Sequence, residues 1–454
     1  MKHLLSCLLG FTLLMCVSCK KSDPALPDNT LGFSTSTQGL GTTDAFINIS
    51  LNLNRATDVA IPVVVDLTAS GVTYGTEFTT EPAATTNMLN LTIPAGSNAV
   101  SFKVIKKDDI FLQGNESLTF KVKSAGAPVV LGTTTELKLS FSAITSTGSE
   151  LTLNGGEGGS AAINSVYVDL SANAQTAVKR TSWDLGFYTG ADFRVILNNT
   201  TAASVVAVNK TDINAINATD VTLANLELGQ GKGNFGIIDD VNGDITKTAI
   251  AAVSVTEAEN KVYVISRVNG TGATPLAADV YKIRILRNGT TGYTLQYAKL
   301  NETTFKTLDI NKNAASNFSF ISFDTGAVSV EPAKDRWDFV WGYSIYYTGT
   351  LPYAFSDLVF VNHLGDVTTA EVIGNYDTYA EANIATTTFS NSRNTIGSNW
   401  RVTQGTIGVK TDRFYVIKDA AGNVYKLRFV NFTTQDGGTR GYPKIQYTLV
   451  KKGA

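Results

Sequence analysis

The side chains that usually carry catalysis or bind transition metals are scarce in this chain. Its 454 residues include only two histidines, His3 and His363. All three cysteines, Cys7, Cys16 and Cys19, lie at the extreme N-terminus. Beyond residue 19 the sequence therefore excludes a disulfide framework, a zinc site of the Cys/His type and a thiol nucleophile. A Ser/His/Asp triad would depend on His363 alone, and no nucleophile-elbow motif accompanies it.

Oxygen ligands are commoner, but few have a spacing that indicates a site. Asp240, Asn242 and Asp244 have the alternating oxygens that begin a calcium loop, yet the later glycine and glutamate of an EF-hand are missing. A plain Asn-Gly turn is the interpretation that this segment favours. Paired-carboxylate catalysis of the glycosidase type needs no short motif, and nothing in the sequence supports it.

The elements that must position these residues are predicted to be strands. Apolar residues make up 43% of the chain and charged residues 17%, which is typical of a folded protein of about three domains. Period-two alternation at residues 46–53 and 281–286 predicts an all-β fold, with short helices only at 210–224 and 378–385. With 37 basic and 39 acidic residues, the chain has no basic excess for a nucleic-acid partner.

The N-terminal segment resembles a bacterial lipoprotein signal. Lys2 and His3 precede an apolar run to Val17 that is too short to span a bilayer, and Ser18 precedes Cys19. The resemblance implies a signal peptide at residues 1–18, lipidation of Cys19 and a polar tether over 19–30. The alternative is an ordinary secretory signal cut nearby. Charged residues directly after the cysteine resemble the surface-export pattern of Bacteroidetes lipoproteins, which implies an outer-membrane, lipid-anchored, cell-surface location.

Residues 31–143 resemble a Calx-beta domain, a sandwich of immunoglobulin-like shape. The matching features are the Ile-Pro-Ala-Gly turn at 93–96 and two aspartates followed by Asn-Glu. Some Calx-beta domains bind calcium through clustered carboxylates, which the ion favours because it takes six to eight oxygen ligands. The resemblance implies a calcium site at the four acidic positions Glu77, Asp108, Asp109 and Glu116. Gln113 replaces an acidic position of the family, so a loop of solvated carboxylates is the alternative.

The remaining residues contain an internal repeat. The dipeptide Trp183-Asp184 recurs 154 residues later as Trp337-Asp338, and three further aromatic anchors recur in the same order with similar offsets. The sequence therefore predicts two tandem copies of one β domain, at 148–300 and 301–454.

Each copy resembles the HmuY family of Bacteroidetes lipoproteins, which are all-β haem-binding haemophores. The second copy carries the closer match, in the hairpin formed by Arg-Phe-Tyr-Val-Ile at 413–417 and Val-Tyr-Lys-Leu-Arg at 424–428. The resemblance implies a haem ligand, and haem iron needs axial donors such as His, Met, Cys or Tyr.

The predicted haem donors are few. The best-known family members use two histidines, and this chain offers only His363 beyond residue 3. The remaining candidates are His363 as a single ligand or a phenolate from Tyr376 or Tyr379. Alternatively, His363 is a solvated residue in a turn, and the two tyrosines pack against neighbouring strands. We also expect Trp183 and Trp337 to be core anchors.

Three functional hypotheses follow from these observations. The first is a lipid-anchored, non-enzymatic binding protein that captures haem or a related small ligand. The second is an adhesion or glycan-binding lipoprotein that keeps the scaffold without a haem site. The third is a carbohydrate hydrolase.

Overall fold

A computed structural model describes residues 27–41, 44–107, 116–141, 148–156 and 159–453. The all-β prediction is confirmed, and every helix in these ranges is a short 3₁₀ segment. Three such turns replace the helix expected at 210–224, and one replaces the helix at 378–385. No helix in the described ranges is long and apolar enough to cross a membrane. The 3₁₀ segments are Gly159–Ala161, Arg180–Ser182, Asn199–Thr201, Ile213–Ala215, Ala218–Asp220, Leu223–Leu226, Phe235–Ile237, Glu257–Glu259, His363–Gly365, Glu381–Thr386 and Thr434–Asp436.

The N-terminal part is a sandwich of two five-stranded sheets. Its strands are β1 (Thr30–Phe33), β2 (Thr37–Gly39), β3 (Phe46–Leu53), β4 (Ile61–Ser70), β5 (Phe78–Glu81), β6 (Met88–Ile93), β7 (Ala99–Lys106), β8 (Ser117–Ala125), β9 (Val130–Leu131) and β10 (Glu136–Ser140). The sheet orders are β5-β7-β3-β1-β9 and β2-β10-β8-β4-β6. Alternate residues of β4, from Ile61 to Leu67, are buried in the core between the sheets, as the period-two pattern predicts.

Strands β11 to β30 form two further β units. The first three are β11 (Gly148–Thr152), β12 (Asn164–Asp169) and β13 (Ala174–Lys179). The next nine are β14 (Leu185–Tyr188), β15 (Val195–Leu197), β16 (Ser204–Val208), β17 (Val262–Ser266), β18 (Val280–Asn288), β19 (Gly292–Lys299), β20 (Lys306–Asn311), β21 (Phe318–Ser322) and β22 (Gly326–Val328). The last eight are β23 (Phe339–Thr348), β24 (Leu351–Val361), β25 (Thr368–Ile373), β26 (Arg401–Val402), β27 (Gly408–Val409), β28 (Arg413–Lys418), β29 (Val424–Asn431) and β30 (Lys444–Lys451).

The two units have the same strand order. One contains the sheets β20-β19-β18-β17-β16 and β22-β21-β14-β15, and lies within residues 183–328; we call it the continuous unit. The other contains β11-β30-β29-β28-β25 and β13-β12-β23-β24, from residues 148–179 and 337–453; we call it the split unit. Each unit has its own apolar core. The internal similarity seen in the sequence therefore corresponds to two sheet pairs of equal topology.

The predicted boundary at 300/301 requires correction. Strand β20 follows that boundary but pairs with β19, which precedes it, and β21 pairs with β14. In the split unit β12 pairs with β23, more than 150 residues further along the chain. The opening strands of each predicted copy thus complete the other copy. Period-two alternation marks which residues of a strand face a core, but it does not identify the strand's partner.

Candidate functional site

The two β units meet along a seam of aromatic side chains. Tyr167 and Trp337 of the split unit pack edge to face with ring centroids 5.0 Å apart. Trp183 and Phe320 of the continuous unit do the same at 4.9 Å. These four residues form one apolar cluster together with Val330, separate from the cores of the two units. The repeated tryptophans are buried as expected, but they pack at the seam and not inside either core.

A cavity of about 140 Å³ opens at this seam. Its walls come from both units, because β12, β23 and β24 supply one side, and β15, β21 and the loop over residues 238–248 supply the other. The lining is mostly apolar and aromatic, with a few charged and polar groups, which is the usual composition of a small-molecule site.

Hydrogen bonds join loops of the two units at one edge of the cavity. His363 Nε2 lies 3.0 Å from Gly243 O, and Asn394 Nδ2 donates to Asn242 Oδ1 at 2.9 Å. Gly243 has a φ of +80°, and a Cβ at this position would lie 2.6 Å from Cδ of Arg393. Both the backbone conformation and the close approach therefore require glycine. The Asn-Gly turn favoured by the sequence is present, since Gly243 N donates to Asp240 O at 2.9 Å.

Arg393 is the cation of the cavity wall. Its guanidinium carbon lies 4.0 Å from the ring centroid of Phe360, a cation–π contact. The side chain is half-buried, and the charges of Asp239 and Asp240 act on it. Burial lowers the pKa of Arg393 to about 10, so the side chain is charged at neutral pH.

Two carboxyl groups also line the cavity. Asp239 Oδ2 accepts a hydrogen bond from Leu197 N at 2.7 Å, and its Oδ1 accepts one from Ala249 N at 2.9 Å. Burial raises the pKa of Asp239 to about 6. Glu331 accepts a hydrogen bond from Phe318 N at 2.8 Å, and burial raises its pKa to about 8. Glu331 is therefore mostly protonated at pH 7.

The three predicted haem donors lie in two different places. His363 lines the seam cavity, whereas Tyr376 and Tyr379 pack edge to face against Phe414 on the outer side of the split unit's five-stranded sheet. Their hydroxyls are engaged: Tyr376 with Thr448 Oγ1 at 2.9 Å, and Tyr379 with Thr387 Oγ1 at 2.7 Å.

In this conformation one ring nitrogen of His363 and both tyrosine hydroxyls are engaged in hydrogen bonds, and axial ligation of haem iron by any of the three residues stays a prediction. A carbonyl only accepts, so the Nε2 of His363 carries the proton in its bond with Gly243, and Nδ1 is the ring nitrogen that keeps a lone pair for a metal. Burial, followed by the charge of Arg393, lowers the pKa of His363. Burial raises the pKa of Tyr376, which disfavours the phenolate that iron would need.

The predicted calcium residues are only partly within the described ranges. Glu77 and Glu116 lie at the same end of the sandwich, where β4 ends and β8 begins, and Glu77 Oε2 accepts a hydrogen bond from Thr73 N at 2.7 Å. Asp108 and Asp109 lie outside the described residues. No group of three or more His, Cys, Asp or Glu side chains in the described ranges could hold a metal ion. Calcium binding by the four residues together stays a prediction, as does lipidation of Cys19, which also lies outside the described residues.

Sequence reasoning singled out His363 but missed its charged neighbours. Arg393 sits in a polar loop between Ser392 and Asn394, and a lone arginine in such a loop carries no sequence signal. Glu331 lies in the link between the two units. The Asn-Gly turn at 242–243 and the repeated tryptophans Trp183 and Trp337 did carry a sequence signal, but neither signal indicates what these residues contact.

Comparison with known proteins places most of this region in one family. The family model described as HmuY protein matches residues 161–447, which is more than half of the chain and includes both β units apart from β11 and the end of β30. The chain belongs to the HmuY family. This single match spans the seam, so the two units together correspond to the family's domain. No curated protein matches the chain significantly.

Solved structures give weaker likenesses. The apo form of the Calx CBD1 domain shares 12% identity, covers 26% of this chain and 97% of its own, and has a TM-score of 0.22. A two-domain protein of unknown function from Bacteroides fragilis shares 9% identity over 80% of this chain and 94% of its own, with a TM-score of 0.20. A candidate carbohydrate-binding protein from Bacteroides ovatus shares 13% identity over 94% of this chain and 99% of its own, with a TM-score of 0.19. Scores this low carry no argument about function.

Proposed function

We propose that this HmuY-family chain is a lipid-anchored, surface-exposed binding protein without enzymatic activity, which holds a small molecule for uptake in the seam cavity. The observation that carries the proposal is the aromatic cavity itself, which is built jointly by the two units within the stretch that the family model matches. Haem or a related porphyrin is the ligand that the family suggests.

Lipid anchoring at Cys19 and exposure at the cell surface can be tested by fractionation and by protease treatment of intact cells. We expect the wild-type protein to fractionate with outer membranes and to be cleaved by protease added to intact cells. A Cys19→Ala variant should lose the membrane association. Recovery of Cys19→Ala in the membrane fraction, or protection of the wild type from the added protease, would contradict lipidation or surface exposure respectively.

Binding at the seam can be tested by titrating the purified mature chain with haemin. We expect a shift of the haemin absorbance and quenching of tryptophan fluorescence, because Trp183 and Trp337 both line the cavity. Ile245, half-buried at the cavity wall, provides a blocking variant: Ile245→Trp should weaken binding about tenfold or more. Val255, on the same long loop but 80% exposed, provides the matched control, Val255→Trp.

The result has three informative outcomes. Binding that is lost in Ile245→Trp and kept in Val255→Trp supports the seam. Binding that survives Ile245→Trp but is lost in Tyr376→Phe or Tyr379→Phe would move the site to the outer face of the split unit. Absence of any haemin binding would contradict the proposal for haem.

Glycan binding is the second candidate, and an aromatic row on the β23–β24 hairpin favours it. Tyr353 and Phe355 are stacked with ring centroids 5.8 Å apart, and Tyr346 lies 6.5 Å from Phe355. All three rings are half-buried, so each keeps part of its surface open. Flat aromatic faces of this kind can stack on the apolar face of a sugar ring.

A carbohydrate array separates this candidate from the first. We expect array signals, if the row is a glycan site, to be lost in a Tyr346→Ala, Tyr353→Ala double variant. The control is Phe46→Ala, which removes a ring that is 50% exposed on the sandwich. Array signals that persist in the double variant, or a blank array for the wild type, would contradict glycan binding at this row.

A further inference from the structure

A second cavity, of about 470 Å³, lies at one end of the two sheets of the continuous unit. Most of its lining residues come from the segments before β14 and β18 and after β17 and β21. Its volume is within the range of about 300–1,000 Å³ that is typical of small-molecule sites. Trp183 lines both this cavity and the seam cavity, whose other walls differ. We call this second opening the end cavity.

An arginine held in one position lines the end cavity. Arg267 Nε donates to Asp184 Oδ1 at 2.6 Å, and Nη2 donates to Asp184 Oδ2 at 2.9 Å and to Asp324 Oδ2 at 2.8 Å. The hydrogen bond from Arg267 lowers the pKa of Asp324, so this carboxylate is ionised at neutral pH. These bonds fix the guanidinium plane but use neither Nη1 of Arg267 nor Oδ1 of Asp324. A fixed donor and a fixed acceptor therefore lie next to each other in the lining.

Further polar and apolar groups surround the same opening. Asp279 has an exposed side chain, and its backbone N–H donates to Leu276 O at 2.9 Å in the turn before β18. The ammonium of Lys299 lies 4.2 Å from the ring centroid of Tyr281. Leu276 and Val268 add exposed apolar surface to the lining. Hydrogen-bond donors, acceptors and apolar groups thus occur together around one cavity.

In the split unit, protein groups fill the equivalent end. Asp419 stands at the position of Arg267, and Asn423 donates to both of its oxygens, from N at 2.8 Å and from Nδ2 at 2.7 Å. Asn173, in the turn after β12, donates from Nδ2 to Thr37 O at 2.7 Å, so the N-terminal sandwich contacts this end. The two-sheet scaffold is therefore compatible with a filled end, and the opening belongs to the residues of the continuous unit.

We propose that the end cavity binds a neutral saccharide. A hydroxyl group both donates and accepts hydrogen bonds, so a molecule with several hydroxyls matches a lining that offers both kinds of partner. Arg267 and Lys299 supply donors, and Asp279 and Asp324 supply acceptors. The exposed side chain of Leu276 offers an apolar contact for the C–H face of a sugar ring. The lining holds two cations and three carboxylates, so no excess of positive charge favours an anion.

Isothermal titration calorimetry of the mature chain tests this proposal with glucose, galactose, mannose, N-acetylglucosamine, maltose and cellobiose. We expect at least one of these sugars to bind, with one site per chain. The chain has four tryptophans, whose indole N–H signals can be followed by NMR in the same titration. The signal of Trp183 should shift, because this residue lines the end cavity, whereas Trp341 and Trp400 lie in the core of the split unit and should not respond.

Variants locate the bound sugar. Asp279→Ala removes an exposed acceptor and should weaken binding about ten- to a hundredfold, the range for a hydrogen bond to a charged group. The matched control is Asp309→Ala, which removes an exposed carboxylate of β20 that does not line the cavity. Asp309→Ala should bind the sugar like the wild type. Ile245→Trp, which blocks the seam cavity, should also bind it like the wild type.

Absence of binding by all six sugars, or equal affinity in Asp279→Ala and Asp309→Ala, would overturn the proposal. Binding that is lost in the Tyr346→Ala, Tyr353→Ala double variant and kept in Asp279→Ala would place the sugar on the aromatic row, and loss in Ile245→Trp would place it in the seam. Either result would overturn the end cavity as the site. The haemin titration is a separate measurement, so failure of this proposal is distinguishable from failure of the proposed function.

Discussion

The continuous and split units make the same backbone contacts with equivalent residues. Asp184 Oδ2 accepts a hydrogen bond from Phe323 N, and Asp338 Oδ2 accepts one from Leu170 N, both at 2.7 Å. Asp184 directly precedes β14 and bonds the residue that follows β21, and Asp338 directly precedes β23 and bonds the residue that follows β12. The aspartate of the repeated Trp-Asp dipeptide thus links two neighbouring strands in both units, which explains why the dipeptide recurs.

Where the units differ is in what surrounds that aspartate. In the continuous unit Arg267 Nε lies 2.6 Å from Asp184 Oδ1, and its Nη2 lies 2.8 Å from Asp324 Oδ2. Although burial alone lowers the pKa of Arg267, its bonds to these two carboxylates outweigh burial and raise it. The equivalent position in the split unit is Asp419, 152 residues later, as for the tyrosines at 263 and 415.

The split unit therefore holds a cluster of carboxyl groups where the continuous unit holds an ion pair. Burial, and then the charges of Asp169 and Asp419, raise the pKa of Asp338 well above its ordinary value. Burial also raises the pKa of Asp169 and of Asp419. The same scaffold accepts either an ion pair or a group of carboxyls with raised pKa values at this point, so the two units should respond differently to mutation and to pH.

The largest expected difference comes from neutralising the repeated aspartate. Asp184→Asn removes a partner of the partly buried Arg267, and we expect a loss of about 3 kcal/mol in the free energy of unfolding. Asp338→Asn removes a charge from a cluster of acids, so its cost at pH 7 should stay within about 1 kcal/mol. Urea unfolding followed by tryptophan fluorescence measures both values. Equal losses in the two variants would show that the units do not differ in this way.

The second comparison concerns two buried lysines, one in each unit, that donate hydrogen bonds to backbone carbonyls of a neighbouring loop. Lys282 Nζ donates to Ile216 O at 2.8 Å, and Lys426 Nζ donates to Tyr376 O at 2.8 Å and Tyr379 O at 2.9 Å. A hydrogen bond from a charged group contributes about 1.5–3 kcal/mol. We expect Lys282→Met to speed amide exchange in residues 213–226 about tenfold or more.

Lys426→Met should do the same in residues 376–386. Each variant is the control for the other, because its effect should stay within its own unit. Exchange that rises in both loops of a single variant would indicate one cooperative body in place of two units.

These repeated aspartates and lysines also show how far the sequence could predict the structure. The Trp-Asp dipeptides and the paired lysines are recognisable because identical residues recur in the same order. The exchange of opening strands between the copies was not predictable, since alternation in β12 or β20 carries no information on the partner strand. The seam cavity was not predictable either, because it forms from loops such as 238–248 and 393–394 that only tertiary packing brings together.

The third prediction uses the opposite signs of two pKa shifts. In the split unit the pKa of Asp169 is raised, so its contribution to stability is full below an unfolded pKa near 3.8 and is lost as pH rises through the folded value. In the continuous unit the hydrogen bond from Arg267 lowers the pKa of Asp324, so its contribution is present above about pH 4 and is lost on acidification.

The free energy of unfolding of the wild type should fall as the pH rises above 4, because Asp169 loses its proton. In Asp169→Asn this fall should be smaller, by at most about 1.4 kcal/mol per pH unit. Asp324→Asn should leave the fall above pH 4 unchanged. It should instead make the decrease in stability below pH 4 smaller. Urea unfolding at pH values from 3 to 8 measures both slopes. A slope that Asp169→Asn leaves unchanged would argue against a carboxyl cluster in the split unit.

The smallest expected effect concerns His363 and Asn199, which occupy equivalent turns on the two sides of the cavity. Because the pKa of His363 is lowered, its neutral form contributes stability above about pH 6.5, and that contribution is lost as pH falls through the folded value. His363→Asn, which introduces the residue of the continuous unit, should flatten the stability profile between pH 7.5 and 5 by less than about 1 kcal/mol. Thermal unfolding at the two pH values measures the change, and a steeper profile in the variant would contradict it.

The most direct measurement of whether the two units bind a ligand jointly is hydrogen–deuterium exchange of the mature chain with and without haemin. A ligand in the seam should slow exchange in residues 239–248 of the continuous unit and, in the same experiment, in 362–364 and 393–394 of the split unit. Protection confined to one unit, or to the loop that carries Tyr376 and Tyr379, would contradict a binding site formed by both.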